Sequence, residues 1–291
     1  MFLDLRQSPE YGQYLKKIGW ISDRQNNFRI YVRHLPVLGN FIKVPRPPSC
    51  PSRTAIDKIA KKYRPFAVAI DCSPTKTLRL NITPPLKEIL SQMKKDTRYE
   101  IRKAQKNKII VRRSYDIDSF IKMWHDNALH RGFWIPFKKE IKALYEAFGK
   151  NSYLLLAYQI PLRLRSGQAD PEFPFDFAQG KQIPNSKSPI SGALILVSHK
   201  IAYYFHAAST SEGRQLSAPS LIVWEAMKLA KEKGCKTFDF EGILDPRDKN
   251  TNKWGGFTHF KKGFGGREVV YPLTITKYYN PIVKFLFSFF G

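Results

Sequence analysis

Residues 203–241 read YYFHAASTSEGRQLSAPSLIVWEAMKLAKEKGCKTFDFE, and this stretch decides the fold. Residues 201–208 read as a strand. The Ser, Thr, Gly and Gln that follow have loop composition. Residues 219–233 then read as a helix. Pro219 stands near its first turn, where a missing N–H is harmless, Ser217 or Ala218 serves as cap, and Gly234 lies just past the end. A short buried-type strand over 237–240 ends in Glu241-Gly242. Strand, loop, helix, strand in that order builds a sheet with helices on its faces.

The same order occurs once before. Residues 41–72 run from a strand through the loop PRPPSCPS to a Lys-rich helix over 54–62 and a strand over 66–70. The repetition points to a duplicated α/β unit. Around it the pattern predicts a helix over 11–18 closed by Gly19, strands over 28–32 and 77–81, and one long helix from Pro84-Pro85 to residue 106. A strand over 109–113, helices over 117–129 and 138–148, strands over 153–158 and 192–198, and a closing strand over 269–275 complete the expectation. The fold class is α/β with mixed sheets. The first unit is expected over 1–107 and the second over 108–267, with the tail 268–291 returning to the first. Residues 160–190 are rich in Pro, Gly, Ser, Asp and Gln without periodicity, and are expected to be a disordered insertion at a hairpin tip.

Forty-nine Lys and Arg against 24 Asp and Glu give a net charge of +25 in 291 residues, which favours partners that carry phosphate. The three cysteines, Cys50, Cys72 and Cys235, are far apart, which excludes a disulfide framework and fits the cytoplasm. The N-terminus has no signal-peptide pattern. The apolar run 282–290 is interrupted by Lys284 and Ser288 and is shorter than the roughly 20 residues of a membrane span. Its apolar residues nearly encircle a helix, so two placements stay open: a peripheral anchor on the inner membrane face, or a helix folded back on the first unit. No H-E-x-x-H, G-x-S-x-G, P-loop or G-x-G-x-x-G occurs and the six histidines are scattered, so neither a metal nor a nucleophilic triad is expected, a triad assembled from distant residues staying open. Ahead of the helix at 219 the loop reads GRQLSAP. Coenzyme A would need glycine N–H groups there, and Ser217 and Pro219 stand in their place, so another acyl donor is indicated.

The segments RYEIRKAQK (98–106), YYFHAAS (203–209), APSLIVWEAMKLAKEKGCKTFDFEGI (218–243) and GFTHFKKGFGG (256–266) resemble the Fem (FemABX) peptidoglycan-bridge aminoacyltransferases. That resemblance implies two tandem acetyltransferase-like (GNAT-like) domains, here with no coiled-coil arm. It implies aminoacyl-tRNA as co-substrate, with no cofactor or metal. The acceptor would be the stem peptide of a muramyl-pentapeptide precursor, nucleotide- or lipid-linked. The family's Phe-Lys pair falls on Phe260 and Lys261, and Lys261 would stabilise the oxyanion of acyl transfer. Tyr204 and His206 would contact the acceptor, although His206 departs from the tyrosine often found there and equally fits a core histidine. Arg131 and Lys138 are suited to the precursor's phosphates. Lys94, Arg98 and Arg102, at helical spacing, would meet tRNA, while Asp96 and Glu100 among them also fit a plain solvated face. Asp239 and Glu241 are strand-end carboxylates that either act as a base or orient loops. Two other readings stand beside this one: a GNAT-fold N-acyltransferase with another donor, and a non-enzymatic basic RNA- or membrane-binding protein.

Overall fold

The computed structural model describes residues 4–25, 27–130, 138–159 and 188–288. Helix α1 (Pro9–Lys17) starts at Ser8, whose Oγ accepts the Tyr11 N–H at 3.2 Å, with Pro9 in the first turn. Strands β1 (Ile21–Gln25), β2 (Phe28–Leu35) and β3 (Gly39–Pro45) form an antiparallel meander. Helix α2 (Arg53–Tyr63) carries the chain to β4 (Pro65–Asp71), which pairs with β3 in parallel. The last strand of the chain, β12 (Ile275–Tyr278), closes this first sheet antiparallel to β4, so its order is β1-β2-β3-β4-β12. Ile56 and Ile59 of α2 pack on Ile30, Val32, Ile42, Val44 and Val68 beneath it.

The second sheet takes its strands from both ends of the remaining chain. They are β5 (Lys76–Asn81), β6 (Ile109–Ser114), β7 (Ser152–Gln159), β8 (Ser191–Ser198), β9 (Ile201–Ser209), β10 (Thr237–Gly242) and β11 (Arg267–Val270), in spatial order β11-β5-β10-β9-β8-β7-β6. The helices are α3 (Leu86–Ser91), α4 (Lys95–Lys106), α5 (Ile117–His130), α6 (Lys138–Phe148), α7 (Ser211–Gln215), α8 (Ala218–Glu232) and α9 (Gly255–Lys262). Residues of α4 and α8 join one core face, and residues of α5 and α6 the other. Helix α8 links β9 to its parallel neighbour β10, as α2 links β3 to β4. The strand–loop–helix–strand unit quoted first is therefore present twice.

Several expectations are corrected. Sheet membership changes between Asp71 and Lys76, not after residue 107: β5 lies between β11 and β10 of the second sheet, and α3 and α4 pack with that sheet. The single helix over 84–106 is two helices, because Lys94 opens α4 with its N–H bonded to the Gly263 carbonyl at 2.9 Å. The closing strand over 269–275 is split: β11 ends at Val270 in the second sheet and β12 begins at Ile275 in the first. The tail thus returns to the first sheet only from β12, followed by α10 (Pro281–Ser288) with Val283 buried against Phe66 and Ala67. Strand β1 and helices α7 and α9 are additional elements. Most of the predicted insertion lies outside the described residues.

Gly213, in α7, has its missing side chain directed at the Ile190 carbonyl and the Ser209 hydroxyl, so a Cβ there overlaps backbone. Gly256, in α9, faces open space. Gly213→Ala is expected to destabilise by about 1–3 kcal/mol or more. Gly256→Ala is expected to be neutral or stabilising by up to about 1 kcal/mol. Thermal unfolding of the two variants reads the opposite signs.

Candidate active site

Alternation along β10 sends Phe238 and Phe240 into the α4–α8 core and directs Asp239 and Glu241 toward the junction of the two sheets. All four residues are buried. A buried carboxylate is tolerated only when paired. Asp239 accepts from Arg79 of β5, Nε to Oδ2 at 2.7 Å. Glu241 accepts from Arg6, Nη2 to Oε2 at 2.6 Å and Nη1 to Oε1 at 3.4 Å. Arg6 also binds Asp4 at 3.1 Å, and Asp4 binds Arg46 at 2.9 Å. The Arg46 guanidinium donates to the carbonyls of Cys72 and Pro74 and lies 4.0 Å over the Tyr271 ring. The Tyr271 hydroxyl accepts from Arg79 Nη2 at 2.5 Å. The cluster therefore closes on itself and ties the N-terminal segment and β3 to β5 and β10.

These pairings set protonation. Burial alone would raise the Asp4 carboxyl, but Arg6 and Arg46 outweigh it and bring its pKa down to about 2. Asp239 is pushed above the usual carboxylate range by burial and by Glu241, against the pull of Arg79. The expectation that Asp239 and Glu241 act as a base or orient their loop resolves structurally toward the second role, since both carboxylates are occupied by guanidinium groups.

Lys261 stands in the last turn of α9, where the helix dipole favours a cation. Its Nζ donates to the Gly242 carbonyl at 2.6 Å, at the end of β10, and lies 5.1 Å from the Phe257 ring centre. Burial lowers its pKa to about 8, with Glu241 and Asp239 opposing the fall. The ammonium form thus prevails at neutral pH, with one of three donors committed to Gly242. Phe260 is half-buried and meets Phe264 edge-on at 5.2 Å, and Phe264 in turn packs on Phe240 at 5.6 Å. Phe260 anchors the helix that presents Lys261. Helix α9 ends at Lys262, and Gly265 and Gly266 follow at φ +87° and +100°.

Strand β9 separates the two residues expected to share the acceptor. Leu194 pairs with His206 and Ile195 with Tyr204, which leaves Phe205 as the extra residue of a β-bulge. Tyr204 points into the core between Phe238 and Phe240, with ring centres 6.3 and 6.2 Å away. Its assignment as an acceptor contact is therefore corrected. Past the bulge, His206 meets Trp124 at 5.5 Å on the opposite face. Burial lowers the His206 pKa to about 4, so the ring is neutral at pH 7, although Glu241 pulls the other way. Phe205 lies 5.7 Å from the Arg6 guanidinium.

The remaining candidates lie apart from this cluster. Lys138 is exposed at the start of α6, beside a surface hollow of about 240 Å³ lined also by Asp118, Lys122 and Lys142. Arg131 lies outside the described residues. Lys94 and Arg102 are exposed, and Arg98 donates to the Ser91 carbonyl at 3.1 Å. The contact of Lys94 with Gly263 sets the start of this basic helix against the end of the helix that carries Lys261. Asp4, Arg6, Arg46, Arg79 and Tyr271 escaped the sequence reading. Their contacts span up to 235 positions and leave no local pattern.

The Asp4 pKa of about 2, against an ordinary 3.8, gives a pH prediction. A depressed carboxyl stabilises the fold above its unfolded value, and that stability is lost as pH falls toward the folded value. The loss is expected between about pH 5 and pH 2 and amounts to about 2 kcal/mol. Asp4→Asn should flatten that acid limb in urea titrations at stepped pH.

Residues 175–289 match the FemAB family model. A stretch of 76 residues is 34% identical to the lipid II:glycine glycyltransferase of Staphylococcus haemolyticus, covering 26% of this chain and 18% of the relative. The Staphylococcus aureus protein of that name matches over the same share. The aligned part of the chain thus spans about a fifth of the length of these relatives. The fold is shared with the crystal structure of FemX, at a TM-score of 0.73 and 17% identity over 97% of this chain and 94% of that one. The C-terminal domain of a putative lysylphosphatidylglycerol synthetase from Agrobacterium fabrum follows at a TM-score of 0.59 and 10% identity, over 91% of this chain and 87% of that one. Residues 175–289 are thus similar to the FemAB family, and the chain as a whole shares the fold of FemX.

Proposed function

We propose that the protein is an aminoacyltransferase that extends the stem peptide of a peptidoglycan precursor, with aminoacyl-tRNA as donor. The observation that carries this reading is the Lys261 ammonium, drawn partly out of water and fixed on the Gly242 carbonyl with donors to spare. In the reaction the acceptor amine attacks the ester carbonyl carbon. A C–N bond forms and the carbonyl π electrons move onto oxygen. Collapse breaks the ester C–O bond, and the proton lost by the amine ends on the departing tRNA hydroxyl. A fixed cationic donor at the developing oxyanion is worth roughly 3–4 kcal/mol.

The other groups fall into supporting roles. Lys94, Arg98 and Arg102 meet the tRNA backbone as basic side chains. Lys138, and Arg131 before it, take the precursor's phosphates, and neutral His206 offers the acceptor a polar contact. The start of α8 supports a donor other than coenzyme A. Ser217 and Ala218 are buried there, α7 precedes them, and Pro219 brings no N–H.

The names of the staphylococcal relatives favour a lipid-linked acceptor. Helix α10 supports the same choice: Val283 anchors it to the first sheet, while Ile282, Phe285 and Leu286 are exposed beside Lys284. The two placements considered for the tail are thus compatible. No helix among the described residues is long and apolar enough to cross a membrane. An apolar stripe on a chain of charge +25 suits peripheral contact with an anionic bilayer.

Incubation with a mixture of charged tRNAs and both precursor forms, followed by mass spectrometry, tests the reaction. A precursor heavier by one aminoacyl residue, and only when the tRNA is charged, is expected. Lys261→Ala should lower turnover about a hundredfold in a folded protein. Activity that depends on the ammonium is lost as pH rises through the Lys261 pKa of about 8, so Lys261→Arg should carry that alkaline limb to higher pH. Replacing Ile282, Phe285 and Leu286 by Ser should release the protein from anionic vesicles in co-sedimentation. Undiminished binding would leave the basic surface alone to account for membrane contact.

A further inference from the structure

Residue 241 adopts φ +60°, in the left-handed region that glycine fills most easily. It sits in a β-bulge: Asp239 pairs with Arg79 and Gly242 with Thr77, so β10 has one residue more than β5 between them. Glycine is the ordinary occupant of such a position, and here the position carries a glutamate. A strained non-glycine residue of this kind persists only where its surroundings over-determine it.

The surroundings do so. The Glu241 N–H donates to Asp239 Oδ1 at 2.8 Å, while Arg79 holds Oδ2 of the same carboxylate. The Glu241 side chain is gripped by both Arg6 nitrogens, and Arg6 is held in turn by Asp4. On the far side, Gly242 has the Trp254 ring 2.5 Å and Pro74 Cβ 2.9 Å from where a Cβ would stand. The peptide after residue 241 is therefore fixed from both sides. Its next carbonyl, that of Gly242, is the acceptor for Lys261 Nζ.

We infer that Arg6 and Glu241 are positioning residues for Lys261: their ion pair locks the left-handed turn that aims the Gly242 carbonyl at the Lys261 ammonium. The inference rests on the reading of Lys261 given above only for its catalytic consequence. The charges that act on Lys261 are Glu241 and Asp239 from β10, with Arg6 and Arg79 bound behind them; the titratable neighbours on its own helix are His259 and Lys262, the latter paired with Glu268. Glu241 thus acts twice, as the lock on the carbonyl and as a negative charge that sustains the ammonium.

The test reads Lys261 directly, without substrate. Amine-selective acetylation of the intact protein across pH 6–11, followed by peptide mass spectrometry, gives the pH midpoint of Lys261 labelling. Glu241→Gln is expected to shift that midpoint down by roughly one pH unit and to raise the limiting labelling rate severalfold as the nitrogen leaves Gly242. Arg6→Met is expected to raise the limiting rate as well. In the transfer assay both variants should lose at least tenfold in kcat, with the acceptor KM little changed. Glu241→Gly, which relaxes the backbone and removes the lock, should behave as Glu241→Gln and not as wild type. A Lys261 labelling profile unmoved by Glu241→Gln in a folded protein overturns the inference. A shifted profile in a protein with no transfer activity keeps the inference and removes the proposed reaction.

Discussion

The ion pair between Arg6 and Glu241 is the constraint on which the rest depends. It joins residue 6 to the end of a strand 235 positions later, inside a junction where both partners are largely buried. Pairs of this kind add little net stability, because desolvation offsets attraction, but removing one partner is severe. Their contribution is geometry. Asp4, Arg6, Arg46, Arg79, Asp239 and Glu241 each occupy a neighbour of opposite charge, so the two sheets have one relative register at the point where β10 ends. Lys261 is placed by that end.

The duplicated unit explains why such a junction exists. Each sheet contains a parallel pair crossed over by a helix, β3-α2-β4 and β9-α8-β10. In the second sheet the crossover delivers an acidic strand end, Asp239-Phe240-Glu241-Gly242. The first contributes Arg46 at the end of β3, with Asp4 and Arg6 of the N-terminal segment close by. The first sheet acts on the site through charges and also receives the chain's last strand.

What was legible in the sequence follows from the range of the forces involved. Helix α8 and strands β9 and β10 could be read from residues 203–241 because caps, prolines and apolar runs act over a few positions. Phe260-Lys261 was legible only by resemblance; as a local pattern it is two residues among many lysines. The bulge at Phe205 has no local signature: a strict period of two puts Tyr204 and His206 on one face, whereas the register shift sends them to opposite faces. The break at residues 92–94 was missed for a related reason: the partner of the Lys94 N–H is Gly263, which no local pattern announces. The arginine-carboxylate cluster was out of reach because the pairs that close it, Arg6–Glu241, Asp4–Arg46 and Arg79–Asp239, join segments far apart in the chain.

Coupling between Glu241 and Lys261 is the claim most open to direct trial, through single-turnover transfer rates for Lys261→Ala, Glu241→Gln and the double variant. If Glu241 acts through Lys261, the double variant is no slower than Lys261→Ala alone. Losses that multiply in the double variant would show that the two residues act independently, and would contradict the account.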